Sequence, residues 1–241
     1  PIVPEGALAH PGGAAEVDMV VVNDQDLTYA VSRLDPHSTD VALAYAGTCP
    51  EAITRAVVWA ALWNALRDGL VDPRRFVQSA LVAVESEAEP AVRDRLLALA
   101  HSAIRDYLPG GARQGLRELL SAATIRYARE TGDADAARAF TRAFITEFEA
   151  YGPGAFTELV RGYAAGDDID LAWRARCALA ARGLVDADGI TAWRDADGSG
   201  EAQRHAARAL ASLPDADSRA GAWESVFSGA LSNDILSATL A

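Results

Sequence analysis

Residues 51–68, EAITRAVVWAALWNALRD, are apolar almost all the way round when wound as a helix. Trp59, Leu62, Trp63 and Leu66 fall on one face, and Ile53, Ala56, Val57 and Ala60 on another. A helix with two apolar faces has to be covered on both. This segment therefore expects packing neighbours on two sides, and it is the strongest constraint on the fold.

The surrounding sequence supplies helices to meet it. Asp35-Pro36 and Asp72-Pro73 each place a capping carboxylate before a proline at the first helical position. Gly47, Gly69, Gly110, Gly132, Gly152, Gly166 and Gly183 stand where helices are expected to stop. Between these marks the apolar residues recur at helical spacing. Val92, Leu96, Leu99, Ala100, Ala103 and Tyr107 form one such stripe, and Leu116, Leu119, Leu120, Ala123 and Tyr127 a second. Phe140, Phe144 and Phe148 share a face, as do Phe156, Leu159, Val160 and Tyr163. The pattern predicts about ten helices of roughly 10–19 residues joined by short loops. Their pair spacing of roughly 40 residues matches HEAT-like units. The expected class is mainly α: a HEAT-like or armadillo-like array of antiparallel helix pairs, an α-solenoid. A compact orthogonal bundle is the alternative.

The first 35 residues do not follow this grammar. Residues 1–16 hold proline and glycine without helical period and read as a loop or linker. VDMVVV (17–22) and LTYAVSRL (27–34), separated by the polar NDQD, read as two short strands of a hairpin. Two strands alone are marginal in water, and nothing downstream reads as a sheet for them to join.

The formal net charge is −12 and every basic residue is arginine. Such a chain repels phosphate backbones, which argues against a nucleic-acid partner. No basic, apolar leader is visible at Pro1, and no apolar run reaches the roughly 20 residues that span a bilayer, so no membrane partner is expected. Cys49 and Cys177 form no metal-binding pair and read as buried free thiols, in keeping with a reducing cytoplasm.

Local catalytic motifs do not occur. His10, His37, His101 and His205 include no i, i+4 pair, and H-E-x-x-H, G-x-S-x-G and phosphate-binding glycine loops do not appear. DADGSGEAQRHA (195–206) begins like a calcium loop, with Asp195, Asp197, Ser199 and Gly200 at positions 1, 3, 5 and 6. Position 12, which requires a bidentate glutamate, is Ala206, and the stretch reads as an interhelical loop with a helix start. Trp59, Trp63, Trp173, Trp193 and Trp223 lie in helical segments and are expected in the core.

VNDQDLTYAVSRLD (22–35) resembles the junction in actinobacterial aminopeptidase N-like zinc metallopeptidases, where the β-sandwich gives way to the C-terminal helical domain. Asn23, Asp24, Asp26, Leu27, Thr28, Tyr29, Ala30, Arg33, Leu34 and Asp35 carry that pattern. WNALRDG (63–69), RRFVQSAL (74–81), DLAWRARCALAARGL (170–184) and GEAQRHAARALASLPDADSRAGAWESV (200–226) follow in the family's order. The resemblance implies a sandwich tail over 1–35 and a helical domain over 36–241, with its final helices missing. It implies a parent enzyme that removes N-terminal residues from peptides with a zinc-bound water. The family's G-A-M-E-N and H-E-x-x-H motifs are absent here. No catalytic, metal or cofactor residue is therefore assigned to this chain; zinc belongs to the parent's catalytic domain. The partners implied are the parent's own catalytic and β-sandwich domains and peptide substrates, in the cytoplasm. A stand-alone HEAT-like interaction scaffold is the alternative.

Overall fold

The computed structural model of the protein describes residues 18–152 and 154–240. The loop expected over 1–16 lies outside them, as does His10. Among the described residues the chain forms twelve α-helices: α1 (Pro36–Tyr45), α2 (Ala52–Arg67), α3 (Pro73–Glu85), α4 (Pro90–Tyr107), α5 (Gly110–Glu130), α6 (Ala134–Tyr151), α7 (Thr157–Ala164), α8 (Ile169–Ala181), α9 (Ala187–Asp197), α10 (Gly200–Ala211), α11 (Ala216–Phe227) and α12 (Asn233–Leu240).

The helix starts are chemical. Asp35 accepts from the N–H groups of His37 and Ser38 at 3.0 and 3.1 Å, and Asp72 from that of Arg74 at 2.7 Å, each ahead of a proline. Asp133, Asp168, Asp186 and Asp215 cap α6, α8, α9 and α11 in the same manner. Carboxylates at these positions satisfy orphan N–H groups and oppose the positive end of the helix dipole. Two of the expected stops are glycines in the left-handed region: Gly69 at φ +75° and Gly183 at φ +65°. After each, the next amide bonds back to the helix, Leu70 to Ala65 and Leu184 to Leu179, as in a Schellman ending. Gly110 differs from expectation: it opens α5 after Pro109.

Helices two apart in sequence lie side by side. α1 packs on α3 and α3 on α5; α2 packs on α4, α4 on α6, α6 on α8, α8 on α10 and α10 on α12. Sequence neighbours such as α3 and α4, α5 and α6, and α7 and α8 cross between these rows. Three apolar cores follow one another along the chain. The first runs from α1 to α6 around Phe76, Leu62, Leu96 and Phe140. The second holds Phe144, Phe148, Val160 and Leu179, and the third Trp173, Ile190 and Ala206. The phenylalanine stripe of α6 is thus divided, Phe140 in one core and Phe144 and Phe148 in the next.

The expected hairpin is not formed: no described residue of 18–35 is in a strand. Asn23 and Asp26 adopt φ +62° and +51°, and the Asn23 side chain bonds both the N–H and the carbonyl of Thr28, at 3.0 and 2.9 Å. Val20 donates to the Ser38 hydroxyl and Val22 accepts from that of Ser32. Side chains thus occupy backbone groups that a strand partner would use. The segment is tied down by the Thr54 hydroxyl donating to Asp24 and by an Arg33–Asp68 pair at 2.8 Å. Leu27, Tyr29 and Val31 remain exposed.

Five apolar positions depart from the sequence reading, exposed Ala60 of α2 among them. Leu119 and Tyr107 reach solvent, and Trp223 is 66% exposed on α11, a helix without a buried residue. Ile53 is 39% exposed, so the second apolar face of α2 is only partly covered.

A methyl group added at Gly152 would fall 2.1 Å from Cδ2 of buried Phe148, whereas one at Gly132 would meet open space. Gly152→Ala should therefore cost about 1–3 kcal/mol by overpacking, read as a lower urea midpoint, and Gly132→Ala should lose much less.

Candidate functional site

The partly covered face of α2 opens onto one groove, and a second lies on the other side of α4. The first, of about 410 Å³, lies between α2 and α4 over Trp59, Trp63, Leu96 and Leu99, with Arg67 and Arg95 among its lining residues. The second, of about 320 Å³, lies between α4 and α6 over Leu97, Leu120 and Ala139, beside Asp94, His101 and Arg142. α4 separates them. Its residues Ala91, Asp94, Arg95 and Ala98 are exposed at i, i+3, i+4 and i+7 and form a ridge.

Ion pairs hold the walls. Arg55 of α2 grips Glu87, just before α4, with Nε at 2.7 Å and Nη2 at 2.6 Å from its two oxygens. Arg55 also donates to the carbonyls of Cys49 and Pro50, and Glu87 accepts from the N–H of Glu89. The Glu87 side chain is 1% exposed. Burial pushes its carboxyl up, but the bonds from Arg55 and Glu89 outweigh that and leave it below the usual carboxylate range. Behind the second groove His101 Nδ1 meets Glu147, which is 2% exposed. Farther along, Arg142 and Arg174 converge on Asp170, Arg138 pairs with Asp168 at 2.9 Å, and Arg208 of α10 reaches Glu149 of α6 at 3.0 Å. These pairs are half-exposed and individually weak, yet they tie α6 to α8 and α10.

The residues singled out in the sequence do not converge. His37 sits exposed in the first turn of α1, and His205 stacks on Trp173 with ring centroids 5.5 Å apart. Burial lowers the pKa of His205. Cys49 and Cys177 are free thiols; only Cys177 is fully buried, and burial pushes its thiol up to about 11, which keeps it protonated and inert. The 195–206 stretch is the end of α9, a turn at Gly198 with φ +67°, and the start of α10 capped by Ser199. Asp197 accepts from Trp173 Nε1 at 2.8 Å, and Asp195 pairs with Arg194. Among the described residues no group of three or more His, Cys, Asp or Glu side chains could hold a metal ion. No helix among them is long and apolar enough to cross a membrane. The Arg55–Glu87 and His101–Glu147 contacts have no local sequence signal, because their partners lie 32 and 46 residues apart.

Residues 19–241 match the family described as ERAP1-like C-terminal domain, and the chain belongs to it. Aminopeptidase N of Streptomyces lividans is 32% identical over 241 aligned residues, which cover 95% of this chain and 28% of that protein. The chain thus spans little more than a quarter of that relative, and corresponds to one domain of an aminopeptidase.

The Arg55–Glu87 clamp joins α2 to the start of α4, the two helices that wall the first groove. Glu87→Ala leaves a buried guanidinium unpaired and should cost about 3–5 kcal/mol in denaturant titrations. Because the folded pKa of Glu87 is depressed, its contribution is present above the unfolded value of about 4.3 and is lost as pH falls through the folded one. The stability difference between parent and variant should shrink correspondingly below about pH 4.

Proposed function

We propose that the chain is the non-catalytic helical domain of an aminopeptidase N-type zinc metallopeptidase, covering the catalytic cleft and shaping the entry of peptides. One observation carries this reading: nearly the whole chain aligns with an aminopeptidase N of which it covers 28%. Residues 36–241 are assigned to the helical domain and 1–35 to the end of a β-sandwich. Zinc and bond cleavage are assigned to the catalytic domain of the parent, and the compartment to the cytoplasm. The partners are those other domains and peptide substrates.

The packing of helices two apart supports a HEAT-like array. In such an array the row α2–α4–α6–α8–α10–α12 forms the inner wall, and the grooves beside α4 face the peptide. The exposed Leu27, Tyr29 and Val31, alternating along an extended segment, present an apolar edge of the kind a sheet covers. A covering role without chemistry requires that the purified chain, supplied with zinc, release no anilide from leucyl-anilide. Release above the zinc-only blank that disappears with a chelator would overturn it.

A further inference from the structure

The two grooves beside α4 differ in charge as well as position. Arg95 on the ridge lines the first groove together with Arg67 of α2, and Asp94, its neighbour in sequence, lines the second. Among the described residues none of these three has an ion-pair partner, although Arg142 on the far wall is held by Asp170 and His101 contacts Glu147. In a chain of net charge −12, the first groove thus presents two uncommitted guanidinium groups, and the second an uncommitted carboxylate. The ridge between them is low, because Ala91 and Ala98 occupy it with the two charged residues.

We propose that the α4 ridge and its flanking grooves read an extended peptide at two sockets, taking apolar side chains three residues apart, with an acidic residue beside the first and a basic residue beside the second. This rests on the reading of the chain as the peptide-facing domain of an aminopeptidase. The spacing follows from packing geometry. Helices side by side lie about 8–10 Å apart, so the grooves flanking α4 are separated by about that distance. A polyproline II chain has three residues per turn and rises about 3.1 Å per residue. Side chains at i and i+3 therefore project the same way, about 9 Å apart. A β-strand, rising about 3.3 Å per residue with alternating faces, offers about 6.6 Å at i+2 or about 13 Å at i+4, and neither matches. The apolar floors receive the two side chains, Arg67 and Arg95 the acidic neighbour, and Asp94 the basic one.

The probe is an end-blocked, fluorescein-labelled peptide Ala-Glu-Leu-Pro-Pro-Leu-Arg-Ala, whose prolines hold the polyproline II form, with anisotropy read on titration of the 241-residue chain. Saturable binding is expected. It should weaken at least tenfold when the leucines are separated by one proline instead of two, and when the peptide is replaced by a helical one with leucines at i and i+7. Ala60→Trp fills the first groove and Ala98→Trp the second; both positions are exposed, so the variants should keep the parent's melting temperature. Each should lose at least tenfold in affinity, as should Arg95→Glu. Absence of binding at millimolar chain, equal binding of the shortened or helical peptide, or unchanged affinity in both tryptophan variants overturns the proposal. None of these outcomes bears on the anilide assay, so failure of the two-socket reading is distinct from failure of the domain assignment.

Discussion

α8 is buried on both sides, and the order of the molecule depends on that. Leu171, Ala175, Ala178 and Leu179 face the second core, while Trp173, Cys177 and Ala180 face the third. Ala172, Ala175, Ala178 and Ala180 are fully buried, which lets neighbouring backbones approach closely. α6 plays the same part between the first and second cores. A helix that belongs to two cores cannot be removed without opening both, so stability is passed from one group of helices to the next.

Electrostatics reinforces this order. Much of the acidic excess is spent locally: six aspartates cap helices and compensate backbone N–H groups. Arginines then join helices remote in sequence, Arg55 to Glu87 in the interior and Arg142, Arg138 and Arg208 along the row α6–α8–α10. The interior pair is bidentate, Arg55 donates further bonds to two backbone carbonyls and Glu87 accepts one from a backbone N–H, which is the geometry that offsets the cost of burying charge. Arg67, Arg95 and Asp94, beside the grooves, make no ion pair among the described residues.

Packing stops short on one face of α2. α2 carries enough apolar surface for two layers, yet Ile53 and Ala60 stay exposed, and the groove beside α4 is left over. Under the proposed reading, an apolar face not covered by the chain's own helices is available to substrate or to a neighbouring domain. The exposed segment Leu27–Val31 and the exposed Trp223–Phe227 pair on α11 are the other such surfaces.

Much of this was legible in the sequence. The mainly helical class, the caps at Asp35 and Asp72 and the stops at Gly69 and Gly183 follow from local chemistry: a carboxylate before a proline, a residue free to adopt positive φ, a stripe at helical spacing; the family was legible only as a resemblance carried by segments such as VNDQDLTYAVSRLD. What the sequence misread turned on which residues took up the backbone bonds and covered the faces. Gly110 starts a helix because Pro109 has already ended the previous one. Residues 18–35 form no hairpin because Asn23, Ser32 and Ser38 take the backbone bonds that pairing requires. Trp223 is exposed because the contacts of α11 with α10 and α12 leave its Trp223–Phe227 face uncovered among the described residues. The grooves could be decided only by the tertiary structure, since α2, α4 and α6 are far apart in the chain and meet only through packing. The sequence by itself determined that helices form and where they begin; which of their apolar faces stay open was settled by how closely those helices could approach one another.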